Sequence, residues 1–172
     1  ESRKRELPAY PHRIGVITSK SGAVINDFLT NIGKFGYEIL FVDSKVEGQA
    51  AVRDLISAID YFEAIDIDAL VIIRGGGSME SLQAFNNEAL VRKIAGFSRP
   101  VICGIGHEKD VPLASLAADK MVSTPTAAAH TLNQSWWEAV HRLNSDKEAI
   151  FSLFKDSVSG EQKDVNRSFD VI

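Results

Sequence analysis

The sequence is poor in the features that mark specialised classes of protein. It holds one cysteine, Cys103, so it can close no internal disulfide, which fits a reducing compartment. Its apolar runs end after six or seven residues at a charge or a glycine, whereas a bilayer-spanning helix needs about 20. The opening ESRKRELPAY lacks the apolar core of a signal peptide. A cytoplasmic location without a membrane segment is the expectation. Basic excess is missing as well, because 19 Lys and Arg face 23 Asp and Glu for a net charge of -4. That excludes a protein that coats duplex DNA through its overall charge and confines any nucleic-acid contact to a local patch. What is present is an ordinary globular composition, 45% hydrophobic and 24% charged over 172 residues, the size of one domain.

Short β-branched runs alternate with stretches of helical period, the mark of βαβ units around a parallel sheet. The runs are Arg13 to Ser19, Tyr37 to Asp43, Ala69 to Arg74, Pro100 to Gly106 and Lys120 to Ser123. Their continuous apolarity predicts a sheet covered on both faces. The expected fold is therefore α/β, a doubly wound, mostly parallel five-stranded sheet with helices on both faces, followed by a long C-terminal helix. Val24, Ile25, Phe28, Leu29 and Ile32 make the apolar face of the first helix; Val52, Leu55, Ile56, Ile59 and Phe62 make that of the second. Met79 through Ile94 reads as a third helix with Ser78 as its N-cap, and a short fourth runs from about Val111 to Ala118.

Thr124 as N-cap and Pro125 in the first helical position open the last helix, whose pattern continues through Leu132, Trp136, Val140, Leu143, Ile150 and Phe154 without a Gly or Pro. Residues 1–12 read as a linker with a solvated Arg-Lys-Arg run, 13–124 as the core, 125–156 as the long helix and 157–172 as a frayed tail. An approximate heptad suits the long helix to a coiled-coil stalk and to self-association; a helix kinked back over the sheet is the alternative.

Ligands of open parallel sheets bind beyond the carboxyl ends of the strands, where the strand order reverses. The unusual residues of this sequence fall in such loops. Ser19, Ser21 and Gly22 follow the first strand, Arg74, Gly75, Gly76, Gly77 and Ser78 the third, His107 and Asp110 the fourth, and Thr124 and Thr126 the fifth. A glycine triplet between strand and helix brings backbone N–H groups close to an anion, and Arg74 adds a guanidinium fork suited to phosphate. The spacing matches neither a Walker loop nor a dinucleotide fingerprint. His107 is the side chain suited to proton transfer near neutral pH, with Asp110 or Glu108 to orient it. Alone, each is an ordinary loop histidine or helix cap; the rim they share with Arg74 points to a site. Asp27 reads first as a solvent-facing helix carboxylate, with the rim as the alternative.

The segments PHRIGVITSKSGAVINDFL, VIIRGGGSMESLQAFNNEAL and RPVICGIGHEKDVPLASLAADKMVSTPTAAA, with the opening of the following helix, resemble the large subunit of bacterial exonuclease VII (exodeoxyribonuclease VII) over residues 8–135. The resemblance implies the catalytic core of an exonuclease that degrades single-stranded DNA from either end to oligonucleotides with 5'-phosphates. It implies catalytic roles for Asp27, Arg74, His107 and Asp110, and no strict need for a metal, Mg2+ being the ion to test. It also implies a small-subunit partner bound through a helical region that this chain holds only in part. Asn26 and Ser81 depart from residues common in the family, at positions with no catalytic role. The rival expectation is a noncatalytic phosphate- or nucleotide-binding α/β module.

Overall fold

The computed structural model describes residues 4–21, 23–75, 79–106 and 111–169. Each apolar run becomes a strand: β1 (Arg13–Thr18), β2 (Glu38–Asp43), β3 (Ala69–Ile73), β4 (Val101–Gly104) and β5 (Lys120–Val122). The helical stretches become α1 (Val24–Asn31), α2 (Ala51–Glu63), a 3-10 helix (Met79–Asn86), α3 (Glu88–Gly96), α4 (Leu113–Ala117) and α5 (Pro125–Phe169). All neighbouring strands are parallel, in the order β2-β1-β3-β4-β5. The chain divides into two units, Glu1–Gln134 and Ser135–Ile172, and the sheet belongs to the first.

The strand order dictates where the helices go. The crossover from β1 to β2 runs one way along the sheet and every later crossover runs the other, so right-handed connections put α1 on one face and α2, α3 and α4 on the opposite face. Alternate strand residues feed the two cores accordingly. Ile17, Leu70, Ile72, Val101 and Cys103 pack with Leu55, Ile59 and Phe62 of α2, Phe85 of the 3-10 helix, Leu90 and Ile94 of α3 and Ala114 of α4. Ile14, Val16, Val71, Ile73 and Ile102 pack with Phe28 of α1. One helix cannot cover that second face, and Ala128, Ala129 and Leu132 from the first turns of α5 complete it. Each buried Val, Leu, Ile or Phe side chain among these contributes about 1.5–3 kcal/mol. Asn133, fully buried, locks the arrangement: its Oδ1 accepts from Gly33 N–H (2.8 Å), just past α1, and its Nδ2 donates to the carbonyl of Asn31 (3.0 Å), the last residue of α1. The Tyr37 hydroxyl donates to the Leu132 carbonyl (2.8 Å), and burial raises its pKa to about 12.

Three local expectations need correction. The third helix is two pieces, because Asn87 takes an extended conformation and its side chain caps α3 by accepting from Ala89 and Leu90 N–H. Ser78, the predicted cap, lies outside the described residues. The last helix does not end near Asp156: α5 continues through Gly160 to Phe169, a mid-helix glycine costing only about 1 kcal/mol relative to alanine. Arg5, expected in a solvated linker, is instead fixed at the amino end of the sheet. Its backbone N–H (2.7 Å) and Nε (3.1 Å) donate to Asp119 Oδ1, while Asp119 Oδ2 accepts from Val101 N–H (2.7 Å). Burial pulls the Asp119 carboxyl up, but the hydrogen bonds from Arg5 and Val101 and the Arg5 charge outweigh it and hold the group below its ordinary value of 3.8. No helix among the described residues is long and apolar enough to cross a membrane.

Candidate functional site

In the order β2-β1-β3-β4-β5 the direction of crossover reverses between β1 and β3, so the loops leaving the carboxyl ends of these two strands diverge and leave a crevice. A cleft of about 390 Å³ lies there, lined by Thr18, Ser19 and Ser21 after β1, Val24 of α1, Arg74 and Gly75 after β3, and Lys45, Val46 and Glu47 after β2. A second recess of about 640 Å³ shares Ser19, Ser21 and Lys45 with it and adds Lys20, Asp43, Ser44 and Asp54. The shared residues make the two recesses adjoin along the rim.

The backbone of Arg74 is held by continuation of the ladder, its N–H donating to the Gly104 carbonyl (3.1 Å). Its side chain is only 4% exposed, and its NH2 group lies 3.6 Å from Oε2 of Glu47, whose side chain is 67% exposed. A buried guanidinium facing a solvated carboxylate across a cleft keeps its positive charge directed at the opening. Gly75 is required by close approach, because a Cβ there would stand 2.7 Å from Val24 Cγ2 of α1. On the other wall the Ser19 and Ser21 hydroxyls bond each other (2.7 Å), and Ser21 N–H reaches Ser19 Oγ (3.3 Å). Lys20 N–H donates to Asp43 Oδ1 (2.8 Å), joining the β1 loop to the end of β2. Thr18 is 1% exposed, and its Oγ1 has no hydrogen-bond partner among the described residues. A buried, unmatched hydroxyl at the floor of a cleft costs stability and marks a site not shaped by folding alone.

Of the predicted site residues, the fold thus brings together Ser19, Ser21, Arg74 and Gly75. Asp27 is exposed on α1 and lines neither recess. Thr124 performs its capping role, its Oγ1 accepting from Ala127 N–H (3.0 Å), and neither it nor Thr126 lines a recess. Gly106, which precedes His107, has φ of 86°, a left-handed conformation suited to glycine. Gly22, Gly76, Gly77, Ser78, His107 and Asp110 lie outside the described residues. Among the described residues no group of three or more His, Cys, Asp or Glu is placed to share a metal ion. Cys103 is fully buried, and burial, then the charge of Asp119, pushes its thiol up to about 12, so it is no nucleophile.

The loop after β2 is the part of the site that sequence reading missed. Lys45 and Glu47 reach the cleft only because β2 lies beside β1, and strand order is not written in local pattern. The available signal was the short polar turn Ser44 to Gly48 directly after an apolar run.

The family model described as "Exonuclease VII, large subunit" matches residues 1–170. The exodeoxyribonuclease 7 large subunit of Clostridium novyi is 38% identical over 170 residues, covering 96% of this chain and 42% of that protein. The same-named protein of Lactiplantibacillus plantarum is 39% identical, over 95% of this chain and 37% of the relative. That of Pseudomonas aeruginosa is 36% identical, over 93% and 35%. The chain therefore spans less than half the length of these relatives.

Proposed function

Because the chain belongs to the exonuclease VII large-subunit family, we propose that it is the catalytic region of an exodeoxyribonuclease and that the cleft between β1 and β3 holds a phosphodiester of single-stranded DNA. The observation that carries this reading is the buried Arg74 guanidinium at the switch point, facing the cleft with Gly75 against α1. A fixed, desolvated guanidinium is the group that stabilises charge gathering on phosphorus during hydrolysis. In the proposed mechanism water attacks phosphorus, the bond to the 3'-oxygen breaks, and the products end in a 3'-hydroxyl and a 5'-phosphate. Arg74 and the backbone amides of Gly75, Gly76 and Gly77 hold the developing negative charge. His107, oriented by Asp110, moves the proton, and Asp27 orients water. Ser19, Ser21 and Lys45 line the adjoining wall along which the strand continues. Attack from either end, a small-subunit partner, a cytoplasmic setting and independence from divalent metal complete the proposal, with Mg2+ an optional addition.

The test is digestion of an end-labelled single-stranded oligonucleotide in excess chelator, with and without the small subunit, alongside His107→Ala and Arg74→Lys. Shortening by the unmutated protein alone, with the same oligonucleotide left intact when paired in a duplex, is the expected result. Failure to cut in every combination, while phosphate esters still bind, returns the noncatalytic phosphate-binding module.

A further inference from the structure

Glu47 is an unexpected occupant of an anion cleft. Its carboxylate faces the buried guanidinium of Arg74 at 3.6 Å, lines the same cleft, and is itself solvated. Its loop carries Gly48 at φ of 81°, so the chain turns sharply just after the side chain that meets Arg74. A carboxylate at that distance occupies the ground an incoming phosphate oxygen would take. The described side chains of the cleft therefore bring two positive groups, Arg74 and Lys45, and one negative group, Glu47.

We propose that Glu47 is the resident counter-ion of Arg74 and sets the charge of the ligand the cleft accepts, a singly charged phosphodiester in preference to a doubly charged terminal phosphate. The inference rests on the reading of this cleft as a phosphate site. Without ligand, the carboxylate holds the guanidinium in place and offsets the cost of burying it. A diester adds one negative charge and is balanced by the two cations. A monoester adds a second charge within a few ångströms of Glu47, where a protein-surface medium screens like charges only in part. The repulsion on the dianion is about twice that on the singly charged diester. Ser19 and Ser21, which bond each other, add no charge that would reverse the preference.

Methyl phosphate and dimethyl phosphate at pH 8 and low salt are the probes, with binding followed through the amide resonances of Ser19 and Gly75. The unmutated chain is expected to bind the dimethyl ester more tightly. Glu47→Gln, which keeps the shape and removes the charge, is expected to tighten methyl phosphate about tenfold and dimethyl phosphate by no more than about threefold. Glu47→Asp, which keeps the charge, should retain the original preference. Equal effects on both esters, no effect, or a preference for the dianion in the unmutated chain overturns the inference, as does failure of both esters to bind. No cleavage step enters the measurement, so an intact selectivity beside absent digestion refutes the nuclease reading and leaves the charge selector standing.

Discussion

At the amino end of the sheet the Asp119 side chain, 3% exposed, receives three hydrogen bonds and an ion pair from Arg5 and Val101, whereas at the carboxyl end the Thr18 hydroxyl receives none from the described residues and buried Arg74 meets a solvated carboxylate across a cleft. The amino end is saturated elsewhere too. Asp68 Oδ2 accepts from His12 N–H (2.7 Å) and Arg13 N–H (2.8 Å), Arg13 pairs with Glu38 (3.0 Å), and Arg99 pairs with Asp66 (3.0 Å). These bonds tie the starts of β1, β2, β3 and β4 together. Folding rewards such closure, because each unmatched buried polar group costs about 1–3 kcal/mol. The rim that leaves a hydroxyl unmatched and spreads charge around an open cleft is therefore the one arranged for something other than stability. The same division is seen in parallel-sheet enzymes generally, where sites gather at carboxyl ends.

Substitutions on the two rims should therefore separate stability from ligand binding. Asp119→Ala should have the largest effect on stability, about 3–5 kcal/mol, since it strands Val101 N–H and the partly buried Arg5; thermal unfolding followed by circular dichroism measures it, and a loss below about 1 kcal/mol would remove the contrast. Arg74→Lys keeps the charge but loses the fork, and is expected to slow oligonucleotide digestion about a hundredfold with the fold intact. If digestion proceeds but is unchanged, the cleft is not where the reaction occurs.

The Asp119 carboxyl titrates below its ordinary value of 3.8 when folded. Its ionised form is thus favoured by folding, and the stability it contributes is present above pH 3.8 and lost as pH falls through the lowered folded value. Denaturant titrations between pH 6 and pH 2 should show the unmutated chain losing this increment, with Asp119→Asn flatter over the same range. A parallel pH dependence in the two proteins would contradict the assignment.

Thr18→Val carries the smallest predicted effect and the opposite sign. It removes an unmatched buried hydroxyl at nearly constant volume and should raise stability by about 1 kcal/mol. A destabilised Thr18→Val would mean that the hydroxyl is satisfied in the folded protein and that the carboxyl rim is as closed as the amino rim.

Much of the core was legible because it obeys local periodicities. Continuous, β-branched apolar runs give the five strands, each within two residues of its observed ends, and Thr124-Pro125 marks the start of α5, where the Thr124 hydroxyl caps Ala127. The division of the third helix was not legible, since Asn87 sits within a good helical pattern and its cap competes locally with continuation. Arg5 looked like part of a charged linker because its partner, Asp119, lies 114 residues away. Arg74 and the glycines after it read as an anion-binding combination; Arg74 and Gly75 line a cleft, and Gly76 and Gly77 lie outside the described residues. Asp27 reads first as a solvent-facing helix carboxylate, and it is exposed on α1 and lines neither recess.

The sequence by itself determined which segments become strands and helices, that the sheet is parallel, and that an arginine followed by glycines ends the third strand. Those features follow from the side-chain period and from the conformational freedom of single residues, which are local properties. Only the tertiary structure decided that β2 lies beside β1, that Lys45 and Glu47 therefore share a cleft with Arg74, that the first turns of α5 fill the face α1 leaves open, and that Thr18 is buried with no hydrogen-bond partner among the described residues. These depend on strand order and on which crossovers share a face, set by packing between segments far apart in the chain.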